Sequence, residues 1–91
     1  MDRLGIVENC LYVGNLPSSA TDAELKAKFE QFGSVLSAVI ATDSATGRSK
    51  RFAHIEMATR AEALAAIRRL NMTLYDDVIM SVSRVRADRR S

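Results

Sequence analysis

Residues 50–57 read Lys50-Arg51-Phe52-Ala53-His54-Ile55-Glu56-Met57. Side chains of a β-strand alternate between its two faces. A strand over Arg51–Met57 therefore turns Ala53, Ile55 and Met57 to one side. Lys50, Phe52, His54 and Glu56 fall on the other. The first set is apolar and suits a core. The second is polar or charged except for a ring, and suits a face that nothing covers. One buried face and one open face is the signature of a sheet packed by helices on a single side.

The chain around this strand repeats one pattern. Thr59 stands three residues before Glu62, a capping box that opens a helix with Ala63, Ile67 and Leu70 on one stripe. In the first half, Cys10–Gly14 is a strand and Asn15-Leu16-Pro17-Ser18-Ser19 breaks it. Thr21 and Glu24 then form the same capping box. Leu25, Phe29 and Phe32 recur at helical spacing, and Gly33 ends that helix. Val35–Thr42 is β-branched and apolar, a second strand, and Asp43–Ser49 is a polar loop. After the second helix, Asn71–Asp77 is a turn-rich link, in which Tyr75 is expected to pack at the sheet corner. Val78–Val85 is the last strand.

The order is strand-helix-strand twice. This predicts an α+β fold of the ferredoxin-like βαββαβ type: a four-stranded antiparallel sheet with two helices on one face. The 91 residues fit one domain, expected over 9–86. Residues 1–8 and a basic segment over 87–91 are expected to be flexible tails.

The open face decides the function. Leu11 and Val13 must face the helices, which leaves Cys10, Tyr12 and Gly14 outward beside Phe52 and His54 of the neighbouring strand. Three rings on an uncovered surface need a reason, and stacking on nucleobases is one. An ordinary cross-strand aromatic pair, or rings covered by a tail, would leave the same trace in the sequence. In the last strand Met80 and Val82 face inward. Ile79, Ser81, Ser83 and Val85 face outward, as do Val39 and Ala41 of the second strand. Ten Arg accompany three Lys, with a formal net charge of +2. Arginine is suited to phosphate because its planar fork makes two parallel hydrogen bonds.

The two central strands resemble the paired motifs of the RNA-recognition motif family. Leu11-Tyr12-Val13-Gly14-Asn15-Leu16 is similar to its six-residue ribonucleoprotein motif, and residues 50–57 to its octet. The resemblance spans about residues 9–86. It implies a domain that binds single-stranded RNA, in RNA processing or regulation, with Tyr12 and Phe52 stacking on bases and Lys50 contacting phosphate. Asn15 would fix the loop after the strand. Three positions depart from the octet. Arg51 stands where the family has Gly, His54 where it has an aromatic ring, and Met57, facing the core, where it has another aromatic. Imidazole can still stack, and its protonation would add attraction to phosphate. Arg48, Lys50 and Arg51 form a basic cluster, and Arg84, Arg86, Arg89 and Arg90 a second one near the end of the chain. Arg48, Arg51, Arg84 and Arg86 are candidate phosphate contacts, and Ser81 and Ser83 candidate polar contacts.

Other functions find little support. The single Cys10 permits no internal disulfide and lacks partners for a metal site, so a reducing, intracellular compartment is expected, nuclear or cytoplasmic. Cys10 is expected to be a small filler at the strand start. No cofactor is implied. The loop after the first strand is not a phosphate-binding glycine loop, and His54 has no nucleophile set beside it, so no catalysis is expected. No apolar run is long enough to span a membrane. A monomer is expected. The rival to RNA binding is a protein partner held on the sheet or helix face of the same fold.

Overall fold

A computed structural model of the chain describes residues 6–86. The order is β1 (Ile6–Gly14), α1 (Asp22–Glu30), β2 (Val35–Thr42), β3 (Ser49–Met57), α2 (Arg60–Leu70), β4 (Thr73–Tyr75) and β5 (Val78–Arg86). The strands lie in the order β2-β3-β1-β5-β4, and every neighbouring pair is antiparallel. The ferredoxin-like arrangement is therefore present, with β1 and β3 side by side at its centre.

Three features differ from the expectation. The sheet has five strands. The fifth is β4, inside the link read as turns; it pairs Thr73 with Met80 and Tyr75 with Val78. It is framed by Met72 and Asp76, both in the left-handed region at φ 63° and 57°. Next, β1 begins at Ile6, so residues 6–8, assigned to a tail, extend the strand. Residues 1–5 and 87–91, including Arg89 and Arg90, lie outside the described residues. Finally, only the first helix has a full capping box. Thr21 Oγ1 accepts from the Glu24 amide at 3.1 Å, and Glu24 Oε1 accepts from the Thr21 amide. Thr59 Oγ1 accepts from the Glu62 amide. Glu62 Oε1, however, accepts from the Ser34 amide, joining the start of α2 to the turn before β2. Its side chain fills the space beside Gly33 that a Cβ there would need.

The core lies between the sheet and the two helices. Leu11 and Val13 of β1, Ala53, Ile55 and Met57 of β3, and Met80 and Val82 of β5 are buried against Leu25 and Phe29 of α1 and Ala63 and Ala66 of α2. The small Ala63 and Ala66 allow α2 to approach the sheet closely, with Ile67 and Leu70 partly buried at the flank. Burying an aliphatic or aromatic side chain is worth about 1.5–3 kcal/mol, which is why these strands turn this way and not the other. Asp22 Oδ1 accepts from the Ile40 amide at 2.9 Å on the outer edge of β2, satisfying a donor that the edge strand would otherwise expose.

Candidate nucleic-acid interface

The buried set forces the opposite residues onto the uncovered face. Tyr12 pairs in register with His54 on one side and with Ser83 on the other, and His54 pairs with Val39. One row across the sheet thus reads Val39, His54, Tyr12, Ser83. The Tyr12 and Phe52 rings stack, with centroids 5.6 Å apart and planes 30° from parallel. His54 meets both edge-on, at 5.9 Å from Tyr12 and 6.2 Å from Phe52. Tyr12 is 38% exposed, His54 is exposed and Phe52 half-buried. The structure therefore brings all three expected ring residues into one accessible cluster.

Gly14, two residues beyond Tyr12, is buried. Its missing side chain leaves room for the Tyr12 ring and for Ser81, its partner on β5. Asn15, at φ 57°, donates from Nδ2 to the Ile79 carbonyl at 2.7 Å. It thereby ties the end of β1 to β5, as expected for a loop-fixing residue.

Arg51 is held more tightly than the sequence suggests. Between the pairs Ile40–Ala53 and Thr42–Ser49, residues 50–52 of β3 stand opposite Ala41 alone, so β3 bulges here. Arg51 lies in the bulge at φ 69°, a conformation that favours glycine and costs other residues about 1–2 kcal/mol. The bulge lets the Leu16 amide donate to the Arg51 carbonyl at 2.9 Å. Arg51 Nε donates back to the Leu16 carbonyl at 2.8 Å. The residue is exposed, and its guanidinium is anchored to the backbone through one nitrogen. Because the bulge interrupts the two-residue alternation, the side of Lys50 does not follow from that of Phe52.

The loop before β3 is ordered by its own hydrogen bonds. Asp43 Oδ1 accepts from the amides of Ala45 and Thr46, and the Asp43 carbonyl from the Gly47 amide. Gly47, at φ 76°, supplies the left-handed step. Arg48 and Lys50 are both exposed at the β3 end of this hairpin.

The second basic cluster divides. Ser81 and Ser83 lie on the open face next to Gly14 and Tyr12. Arg84 instead pairs with Leu11, whose side chain is in the core. Directly opposed residues share a face, so Arg84 belongs to the helix side, away from the rings. Grouping it with the open-face residues by charge overlooked the period of two. Arg86 closes β5, and its side chain lies outside the described part.

Two other groups have perturbed acidity. Cys10 is a half-buried free thiol whose pKa is raised by burial and by the Glu56 carboxylate. Tyr75 is buried, consistent with its expected packing role. Its hydroxyl donates to Glu24 Oε1 at 2.9 Å, and Lys28 Nζ sits 4.5 Å from its ring centre. Burial, then the Glu24 hydrogen bond and charge, then Asp76, push its pKa up to about 12. Among the described residues no group of His, Cys, Asp or Glu is placed to hold a metal ion, and no helix is long and apolar enough to cross a membrane.

Comparison with known proteins agrees with this geometry. The RbpD protein of Nostoc sp. (strain PCC 7120) is 48% identical over 61 residues, which are 67% of this chain and 65% of RbpD. The chain thus spans just under two thirds of that relative. The crystal structure of RNA Binding Protein PG1 superposes with a TM-score of 0.82 at 32% identity, covering 90% of this chain and 98% of that one. A sex-lethal protein–RNA complex superposes with a TM-score of 0.80 at 33% identity, covering 91% of this chain and 51% of that one. The family model described as RNA recognition motif matches residues 11–78, and the chain belongs to that family.

Proposed function

We propose that this domain binds single-stranded RNA on the open face of its sheet and does no catalysis. The observation that carries this reading is the cluster of Tyr12, Phe52 and His54, three rings within 6.2 Å of one another on an uncovered surface. Tyr12 and Phe52 stack on bases, and His54 adds a smaller ring that can also donate a hydrogen bond. Arg48, Lys50 and Arg51 meet phosphates along one border, while Ser81 and Ser83 offer hydroxyls along the other. The domain acts as an intracellular monomer, nuclear or cytoplasmic, in post-transcriptional processing or regulation of RNA.

The test is fluorescence anisotropy with a labelled random single-stranded RNA of about ten nucleotides, competed by the same RNA as a duplex. Binding in the micromolar range, lost in Tyr12→Ala and Phe52→Ala and poorly competed by the duplex, supports the reading. Equal binding by both alanine variants overturns it.

A second reading rests on a different observation. Leu74 and Ile79 are directly paired on β4 and β5 and are 66% and 47% exposed. Such an apolar pair beside the open face suits a protein partner. A domain that leaves RNA unbound but loses a partner on Leu74→Ser would favour this alternative.

A further inference from the structure

A surface that binds a polyanion should not carry a carboxylate, yet this one does. Glu56 pairs in register with Cys10 of β1 and with Ser37 of β2. It therefore lies one row along the face from the His54–Tyr12 row, about 6.7 Å away at the usual strand rise. It is half-buried, and its negative charge is among the causes that raise the pKa of the Cys10 thiol beside it. Its electrostatic reach thus covers this end of the face. Lys50 and Arg51 lie toward the opposite end of β3. In sequence, β3 thus runs from cations through rings to an anion.

A carboxylate has only acceptor oxygens. A phosphate placed against it is repelled, so this end of the face must meet part of the nucleotide that donates. The edge of a base stacked over Tyr12 or His54 lies within reach of a glutamate one row away. The four bases differ there. Guanine presents two adjacent donors, N1–H and the N2 amino group, which match the two oxygens of a carboxylate. Adenine and cytosine each present one amino donor next to a ring nitrogen that accepts. Uracil presents one N–H flanked by two carbonyl oxygens, whose lone pairs face the carboxylate.

Resting on the RNA-binding reading above, we infer that Glu56 is a specificity residue: it selects a base with paired N–H donors, guanine first, and rejects uracil at the nucleotide beside the Tyr12–His54 row. A well-made bidentate contact of this kind separates right from wrong base by roughly 5- to 150-fold. The rejection of uracil has the same origin as any site whose buried polar group would be left without its partner.

The experiment measures anisotropy with three probes: an eight-nucleotide oligouridylate, the same strand with one central guanine, and the same strand with inosine there. Inosine keeps N1–H and lacks the amino group. Wild type is expected to prefer guanine over the all-uridine strand by about tenfold, with inosine between them. Glu56→Gln, whose amide can donate to a uracil carbonyl, is expected to reduce the guanine preference to within about twofold. Glu56→Ala is expected to weaken guanine binding while leaving the all-uridine strand unchanged or tighter. Thermal melts of both variants check that the fold persists. Unchanged probe ratios in both variants, with Tyr12→Ala still abolishing binding, overturn the role of Glu56 and leave the RNA-binding reading standing. Wild type that binds none of the probes overturns both.

Discussion

The ring of Tyr12 lies against Gly14 of its own strand: a Cβ added at Gly14 would stand 3.1 Å from Tyr12 Cε2 and 2.9 Å from Ser81 Oγ. The glycine is thus a seat for the ring. It holds Tyr12 down beside Phe52 rather than letting it stand away from the sheet.

Gly14→Ala should therefore impair binding more than stability. Ser81 Oγ can rotate aside, but the Tyr12 ring must shift by a few tenths of an ångström, which disturbs its alignment with Phe52. Forfeiting part of a stacking contact worth about 1–3 kcal/mol lowers RNA affinity by roughly 3- to 10-fold. The melting temperature should stay within a few degrees of wild type. Anisotropy titration beside a thermal melt checks this. A large drop in melting temperature with unchanged affinity would contradict it.

Arg51 carries opposing contributions that two variants separate. Arg51→Ala keeps the left-handed strain at φ 69° and loses the Nε–H bond to the Leu16 carbonyl, a loss of about 1 kcal/mol. Arg51→Gly loses the same bond and relieves strain of about 1–2 kcal/mol, against the greater flexibility of glycine in the unfolded chain. Urea unfolding should find the glycine variant more stable than the alanine variant by about 1 kcal/mol. Equal stabilities would show that the strain is not real.

Tyr75 gives the fold an alkaline limit. Its pKa is raised from 10.0 to about 12, so the folded state favours the protonated phenol. Below pH 10 both states keep the proton and the contribution is complete. Between pH 10 and about 12 the unfolded chain gives up its proton first. Stability from this group then falls by up to about 1.4 kcal/mol per pH unit. In a Tyr12→Phe variant, Tyr75 is the one remaining tyrosine of the two, and its phenolate absorbance should appear near pH 12. A midpoint at 10 would contradict the burial of the Tyr75 hydroxyl together with its Glu24 hydrogen bond.

The legible parts of this structure were those governed by local periodicity. Alternation in residues 10–14 and 51–57 placed Tyr12, Phe52 and His54 on the open face because Leu11, Val13, Ala53 and Ile55 had to be buried. The boundaries of β2 were plain in its β-branched run. What escaped depends on partners distant in sequence. Glu62 turns to Ser34, 28 positions away, rather than to its own cap. Arg51 reaches Leu16 across 35 positions. The short β4 is set by left-handed Met72 and Asp76, residues that carry no glycine signal. Arg84 could have been placed correctly by counting from Val82.

The cations should show in the salt dependence. Binding to single strands falls with a slope of about −0.7 per neutralised phosphate in a plot of log affinity against log salt. With Arg48, Lys50 and Arg51 engaged, the slope should be about −2. Lys50→Ala should make it shallower by about 0.7, while Arg84→Ala, on the helix side, should leave it unchanged. A shallower slope for Arg84→Ala would show that this residue reaches RNA after all.

The most direct test of the central claim is a titration of the domain with short single-stranded RNAs, followed through backbone amide shifts by NMR. Shifts concentrated on residues 12, 52, 54 and 56 and along 81–83, shrinking as salt rises, with α1 and α2 silent, are the expected result. Silence across the sheet at near-millimolar RNA, or shifts confined to the helix face, would contradict it.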